Sequence, residues 1–281
     1  MLQVSGLTKA YGDKTILQNV SFSVPTGSIT AFVGANGAGK TTVMKSILGF
    51  TPFKGEIYVD DEPVVFSKTN PAIGYLPDVP ALYPFYTARQ YLQFCQPQDQ
   101  ARVEELLERV GLAQATQKIG TYSRGMRQRL GMAQALLHRP KLLICDEPTS
   151  ALDPQGRADI LQILADSKHE TTIFFSTHIL AEVAEISDRL LVLHNGGIAY
   201  EGALPQAQTT RYVVQFAEEV SLGQAFEAFM PVQKSDGWHV TVTDEAARAE
   251  VLAKLLQHGY IPLRFEPVVP SLADFIAEVT T

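Results

Sequence analysis

An α/β chain with a parallel central sheet, an antiparallel sheet near its N-terminus and a small α+β unit at its C-terminal end is the architecture this sequence predicts. Three observations predict it. Continuous apolar runs of strand length, at Leu142 to Cys145, Thr172 to Phe175 and Leu190 to Leu193, alternate with helical patterns, as strands buried on both faces do. A glycine-rich loop, Gly34-Ala-Asn-Gly-Ala-Gly-Lys40-Thr41-Thr42, joins a strand candidate at Ser28 to Val33 to a helical stretch. Near residue 210 the charge balance changes: residues 1–210 hold 18 basic against 20 acidic side chains, and residues 211–281 hold 5 against 10.

Bulk properties narrow the function classes. The 281 residues are 46% hydrophobic and 19% charged, which excludes a disordered or collagen-like chain. No apolar run approaches the roughly 18 residues of a membrane-spanning helix. The opening Met-Leu-Gln-Val-Ser-Gly lacks the basic and apolar regions of a signal peptide, so a cytoplasmic location is expected. Two cysteines, Cys95 and Cys145, make neither a disulfide framework nor a metal spacing. A net charge of −7 argues against nucleic acid as the main partner.

Each element has its own signal. Short alternating runs at Leu2 to Val4, Ser21 to Val24 and Glu56 to Val59 read as strands, and Pro25-Thr26-Gly27, Lys54-Gly55 and Asp60-Asp61 read as turns. Val43, Met44, Ile47 and Leu48 recur at helical spacing, with Gly49 as a C-cap. Residues from about 82 to 140 read as mainly helical: Val103, Leu106, Leu107 and Val110 share one face, with charged residues between them. A helix fits Pro154 to Ser167. Polar residues from Pro205 to Thr210 mark a boundary. Beyond it come strands at Tyr212 to Phe216 and Trp238 to Val242, and helices near 222–230 and 244–258.

The glycine-rich loop fits G-x-x-x-x-G-K-[ST]. Such a loop turns the backbone N–H groups of Gly34, Asn36, Gly37, Ala38, Gly39, Lys40, Thr41 and Thr42 toward an anion at a helix N-terminus. Lys40 would reach the β- and γ-phosphates, and the Thr41 hydroxyl would ligate Mg²⁺. Asp146 and Glu147 end the buried run Leu142 to Cys145, where ligands of an open α/β sheet bind. The Asp146 carboxylate suits Mg²⁺. Glu147, pointing elsewhere, can deprotonate an attacking water. His178 follows another buried run, where a ring N–H can meet a phosphate. An aromatic ring such as that of Tyr11, upstream of the loop, can stack on a purine.

Four further segments carry a family resemblance. Tyr122-Ser-Arg-Gly-Met-Arg-Gln-Arg-Leu130 resembles the signature motif of ATP-binding cassette (ABC) ATPases. Leu142 to Thr149 resembles their Walker B strand, Ser150-Ala-Leu-Asp153 their D-loop and Ser176-Thr-His178 their switch histidine. With the phosphate loop, these cover residues 1–205 in the family's order. The Tyr-Ser-x-Gly-Met signature and Pro270-Ser-Leu-Ala-Asp-Phe275 are most similar to nucleotide-binding subunits of type 2 ABC exporters. The resemblance implies a P-loop NTPase of ABC type over residues 1–210, with a helical subdomain near 82–140, and an accessory α+β domain over 211–281. It implies an ATPase using ATP and Mg²⁺, with Lys40, Glu147 and His178 catalytic. Ser123 and Gly125 would close on the γ-phosphate held by a second copy, in a head-to-tail homodimer. A separate membrane permease would tether the dimer to the inner face of the cell membrane and dock a helix near Leu82, Tyr83, Phe85, Tyr86 and Tyr91. A soluble non-transport ABC ATPase and a regulatory nucleotide sensor are the alternatives.

Three positions depart from the family pattern. Asp78 follows Ile73-Gly-Tyr-Leu-Pro77 where Gln is usual, Arg124 replaces a Gly, and Met126 replaces a Gln. An ionised Asp offers acceptors only, so Asp78 is expected to bind Mg²⁺ directly or through water.

Overall fold

Two compact units make up the chain, one of Met1–Leu204 with Val279–Thr281 and one of Pro205–Glu278. The computed structural model describes residues 1–204, 211–216, 220–222, 224–234, 237–242, 245–268 and 271–280. The boundary stretch 205–210 and Pro270 therefore lie outside the described residues.

The large unit runs β1 (Leu2–Tyr11), β2 (Lys14–Val24), β3 (Ile29–Val33), α1 (Lys40–Ile47), β4 (Lys54–Val59), β5 (Glu62–Pro63), β6 (Ile73–Leu76), α2 (Ala88–Cys95), α3 (Gln100–Arg109), α4 (Arg124–Leu136), β7 (Leu142–Asp146), α5 (Pro154–Ser167), β8 (Thr172–Ser176), α6 (Leu180–Ile186), β9 (Arg189–His194) and β10 (Gly197–Ala203). The small unit runs β11 (Arg211–Gln215), β12 (Val232–Lys234), β13 (Gly237–Thr241), α7 (Glu245–Gln257), β14 (Arg264–Val268) and α8 (Leu272–Val279).

Strands β3, β7 and β8 are buried at every residue, which a sheet covered on both faces requires. They lie in a six-stranded sheet of order β10-β9-β3-β8-β7-β6, parallel from β9 to β6 and antiparallel only at β10. The antiparallel sheet β2-β1-β4-β5 alternates instead, burying Leu2, Val4 and Leu7 from β1. The two sheets share one core. Phe22 from β2 stacks on Phe174 from β8 at 5.8 Å, and Phe174 stacks on Phe32 from β3 at 5.2 Å.

Lys54-Gly55 belongs to β4 and is not a turn. Gly55 sits at φ 101°, and a Cβ there would come within 2.6 Å of the Gly6 backbone. The glycine serves a close strand approach beside a bulge, which looks in sequence like a turn signal. In the small unit, Gln224–Phe229 is a 3₁₀ helix, not the α-helix expected near 222–230. Phe226 and Phe229, three apart and both buried, eclipse on one face in that geometry. The four-stranded antiparallel sheet β12-β13-β11-β14 includes two strands the periodicity does not reveal. Val214, Phe226, Val240, Val251 and Leu255 form its separate core.

Candidate active site

Strand β3 delivers the chain into the glycine-rich loop, and α1 leaves it. The helix has no side-chain cap: Gly39 stands at its N-cap in the left-handed region, φ 112°. A Cβ on Gly39 would lie 2.8 Å from Leu17 Cδ2, so both the conformation and the space demand glycine there. Uncapped N–H groups remain at the helix start, with its positive dipole end. Lys40 Nζ curls back to donate to Gly34 O at 2.7 Å and lies 3.7 Å from Glu147 Oε1.

The carboxylates come from the end of β7. Asp146 is buried, and one of its oxygens, Oδ1, accepts the Ser176 hydroxyl at 2.8 Å. The same Ser176 Oγ accepts the Glu147 N–H at 3.0 Å. Glu147 has φ 49°, a left-handed conformation unfavourable for a residue with a Cβ, and it lines the cleft beside the glycine-rich loop. Its Oε2 lies 2.7 Å from His178 Nδ1. An ionised carboxylate only accepts, so the pairing assigns a ring proton to Nδ1. Behind Asp146, burial and then the Asp146 charge push the Tyr75 phenol up to about 12. Burial, with Asp146 second, pushes the Cys145 thiol well up, so that thiol is inert.

These groups border a cleft of about 480 Å³, lined by Tyr11, Ile16, Asn36, Gly37, Gly39, Lys40, Thr41, Thr42, Glu147, Ser150 and His178. The structure thus gathers most of the expected residues. Tyr11 is half exposed, with Lys9 Nζ 4.7 Å from its ring centroid. Gly34, Ala38 and Asp146 are not among the lining residues. Ser123 and Gly125 border a different cleft, of about 390 Å³, with Arg124, Met126 and Asp153. Ser123 is the N-cap of α4, its Oγ accepting the Met126 N–H at 3.2 Å. Asp78 lines neither cleft; its Oδ1 pairs with Arg124 Nη2 at 3.0 Å. Ile16, Ser150 and the bridging role of Ser176 escape sequence reasoning. Ser150 and Ser176 sit inside quoted motifs, but nothing local assigns them a partner.

The family model described as ABC transporter matches residues 17–150. Over 99% of both chains, the sequence is 36% identical to the uncharacterized ABC transporter ATP-binding protein YxlF of Bacillus subtilis strain 168. This chain belongs to the ABC transporter ATP-binding proteins. It is also 37% identical to the bacitracin transport ATP-binding protein BcrA of Enterococcus faecalis, over 72% of this chain and 68% of that one. Among solved structures, an ATP-binding subunit of an ABC transporter superposes with TM-score 0.66 at 30% identity, over 73% of this chain and 90% of that one. A dimeric cassette in a post-hydrolysis state with ADP and phosphate, MJ0796, gives TM-score 0.64 at 25% identity, over 73% and 99%. As an ABC transporter ATP-binding protein the chain binds and hydrolyses ATP, and such subunits work as dimers with membrane permeases. Among the described residues no helix is long and apolar enough to cross a membrane.

Proposed function

We propose that this chain powers export through a separate permease, two copies closing head to tail on two ATP molecules and parting after hydrolysis. One observation carries the reading: Lys40, Glu147 and His178 converge on one cleft at a helix N-terminus, with Glu147 Oε1 3.7 Å from Lys40 Nζ and Oε2 2.7 Å from His178 Nδ1. In this reading the loop amides of residues 34–42 bind the phosphates and Tyr11 stacks on the adenine. Lys40 leaves the Gly34 carbonyl for the phosphates. Glu147 takes a proton from the attacking water, and His178 supports and orients that carboxylate.

The donor set fits Mg²⁺. Thr41 lines the cleft and Asp146 ends β7, and the Thr41 hydroxyl and the Asp146 carboxylate, both hard oxygen donors of the kind Mg²⁺ takes, would be its protein ligands. When bound, the ion supplies charge neutralisation at the phosphate oxygens.

Ser123 and Gly125 border a cleft separate from their own chain's phosphate loop, which favours their acting on the partner's nucleotide. Exposed aromatics favour permease docking: Tyr83 and Phe85 stack at 5.7 Å and Tyr86 and Phe94 at 5.8 Å, with Tyr83, Phe85 and Phe94 half exposed or more. Tyr91, by contrast, is buried and packs beneath them. Docking would hold the pair at the inner face of the membrane. Export rests on relatives named for bacitracin transport and, in Bacillus subtilis, linearmycin resistance.

The test is Glu147→Gln. Hydrolysis should fall by about 10²-fold or more, the usual worth of a general base, while ATP binding persists and the ATP-bound dimer accumulates in solution scattering. Turnover at the wild-type rate would remove Glu147 from its role, and solitary molecules with ATP would remove the dimer. Lys40→Ala should abolish phosphate release.

A further inference from the structure

Two of the three departures from the family pattern meet in space. Arg124, the first residue of α4, places Nη2 3.0 Å from Asp78 Oδ1 and donates from Nε to Ser150 O at 3.1 Å. Ser150 lines the phosphate cleft beside Glu147, and its N–H closes back on Glu147 O at 3.0 Å. Arg124 itself borders the second cleft, beside Ser123 and Gly125. One guanidinium therefore reaches from the start of the signature helix to the turn that carries Glu147.

That turn needs holding. Glu147 sits at φ 49° and Ala151 at φ 52°, both left-handed and both bearing a Cβ. On the β7 side the Ser176 hydroxyl anchors the Glu147 N–H. On the other side the Ser150 carbonyl is tied by Arg124. Half-exposed ion pairs add little to stability, so the geometric constraint is the consequence that matters. A guanidinium suits the task because its rigid fork serves a carboxylate and a carbonyl at once. A lysine ammonium, a single charged point on a flexible stem, does not reproduce that fork.

We propose that Arg124 is a positioning residue for Glu147, and that Asp78 orients its guanidinium. The inference rests on the reading of Glu147 as general base. It assigns Asp78 and Arg124 as a matched pair linking the signature helix to the catalytic turn.

Steady-state ATP hydrolysis by the full chain, with Mg²⁺ titrated, tests it. Arg124→Ala should lower kcat roughly tenfold and leave KM within about twofold, because positioning is lost while nucleotide contacts remain. Asp78→Asn should cost less, since the Ser150 bond survives. The double variant should be no slower than Arg124→Ala alone, the signature of one shared interaction. Arg124→Lys should not restore kcat. Additive losses, or full rescue by Lys, would overturn the proposal. An inactive Glu147→Gln with an additive cycle sinks this inference alone; an active Glu147→Gln sinks the general-base reading and this with it.

Discussion

Ser176 shows how much one hydroxyl can organise. It donates to Asp146 and accepts from the Glu147 N–H, so one group fixes a carboxylate and the backbone of its neighbour. The left-handed backbone of Glu147 costs about 1–3 kcal/mol for a residue with a Cβ. Gly39 is the reverse case, a left-handed position where glycine is unstrained. Gly39→Ala combines a forbidden φ with a 2.8 Å approach to Leu17, and should destabilise the chain by about 2 kcal/mol in denaturant titration. ATP affinity should fall with it, because the loop must reshape to admit the methyl. An unchanged unfolding midpoint would show that Leu17 yields freely and that the conformation is tolerated.

Elements keep their places through end contacts that connect them to neighbours. Thr87 and Gln90 form a reciprocal capping box on α2, and Asp153 caps α5 through the Gly156 N–H at 3.0 Å. Asp188 clips the start of β9 to β3. Its Oδ2 accepts the Ile29 N–H at 2.8 Å, and its Oδ1 accepts Lys168 Nζ at 2.6 Å. Burial pushes the Asp188 carboxyl up, but the Ile29 N–H and Lys168 together outweigh it and hold it below the usual range. A depressed folded pKa means stability that is present above the ordinary carboxylate value of about 4 and lost as pH falls through the depressed value. Asp188→Asn should therefore be less stable at neutral pH and show a shallower loss of stability below about pH 4. Acid-unfolding curves that coincide with wild type would mean the clip contributes nothing.

At the scale of the whole molecule, one core among the described residues gathers around Phe22, Phe32 and Phe174 and another around Phe226, Val240 and Val251. We read residues 211–281 as an accessory domain that modulates dimerisation. Truncation after Thr210 should leave ATP affinity within about twofold, because no residue lining the phosphate cleft is removed, and should weaken the ATP-dependent dimer in sedimentation velocity. Unchanged dimerisation would make the tail a passive appendage.

Read without coordinates, the chain already specified its phosphate loop, the acidic end of β7, the histidine after β8 and the alternation of strands with helices. All of these are local. A glycine pattern dictates which backbone angles are open, and an apolar period dictates which face is buried. The tertiary structure alone decided which distant groups touch. Asp78 and Arg124 are 46 positions apart, and Ser176 and Asp146 are 30. In sequence only the charge of Asp78 is visible, and the Arg124 that pairs with it appears only in the fold. The Ser176–Asp146 pairing follows from sheet order, which sets the ends of β7 and β8 side by side, and the Asp78–Arg124 pairing from α4 packing against β6; no spacing along the chain encodes either adjacency.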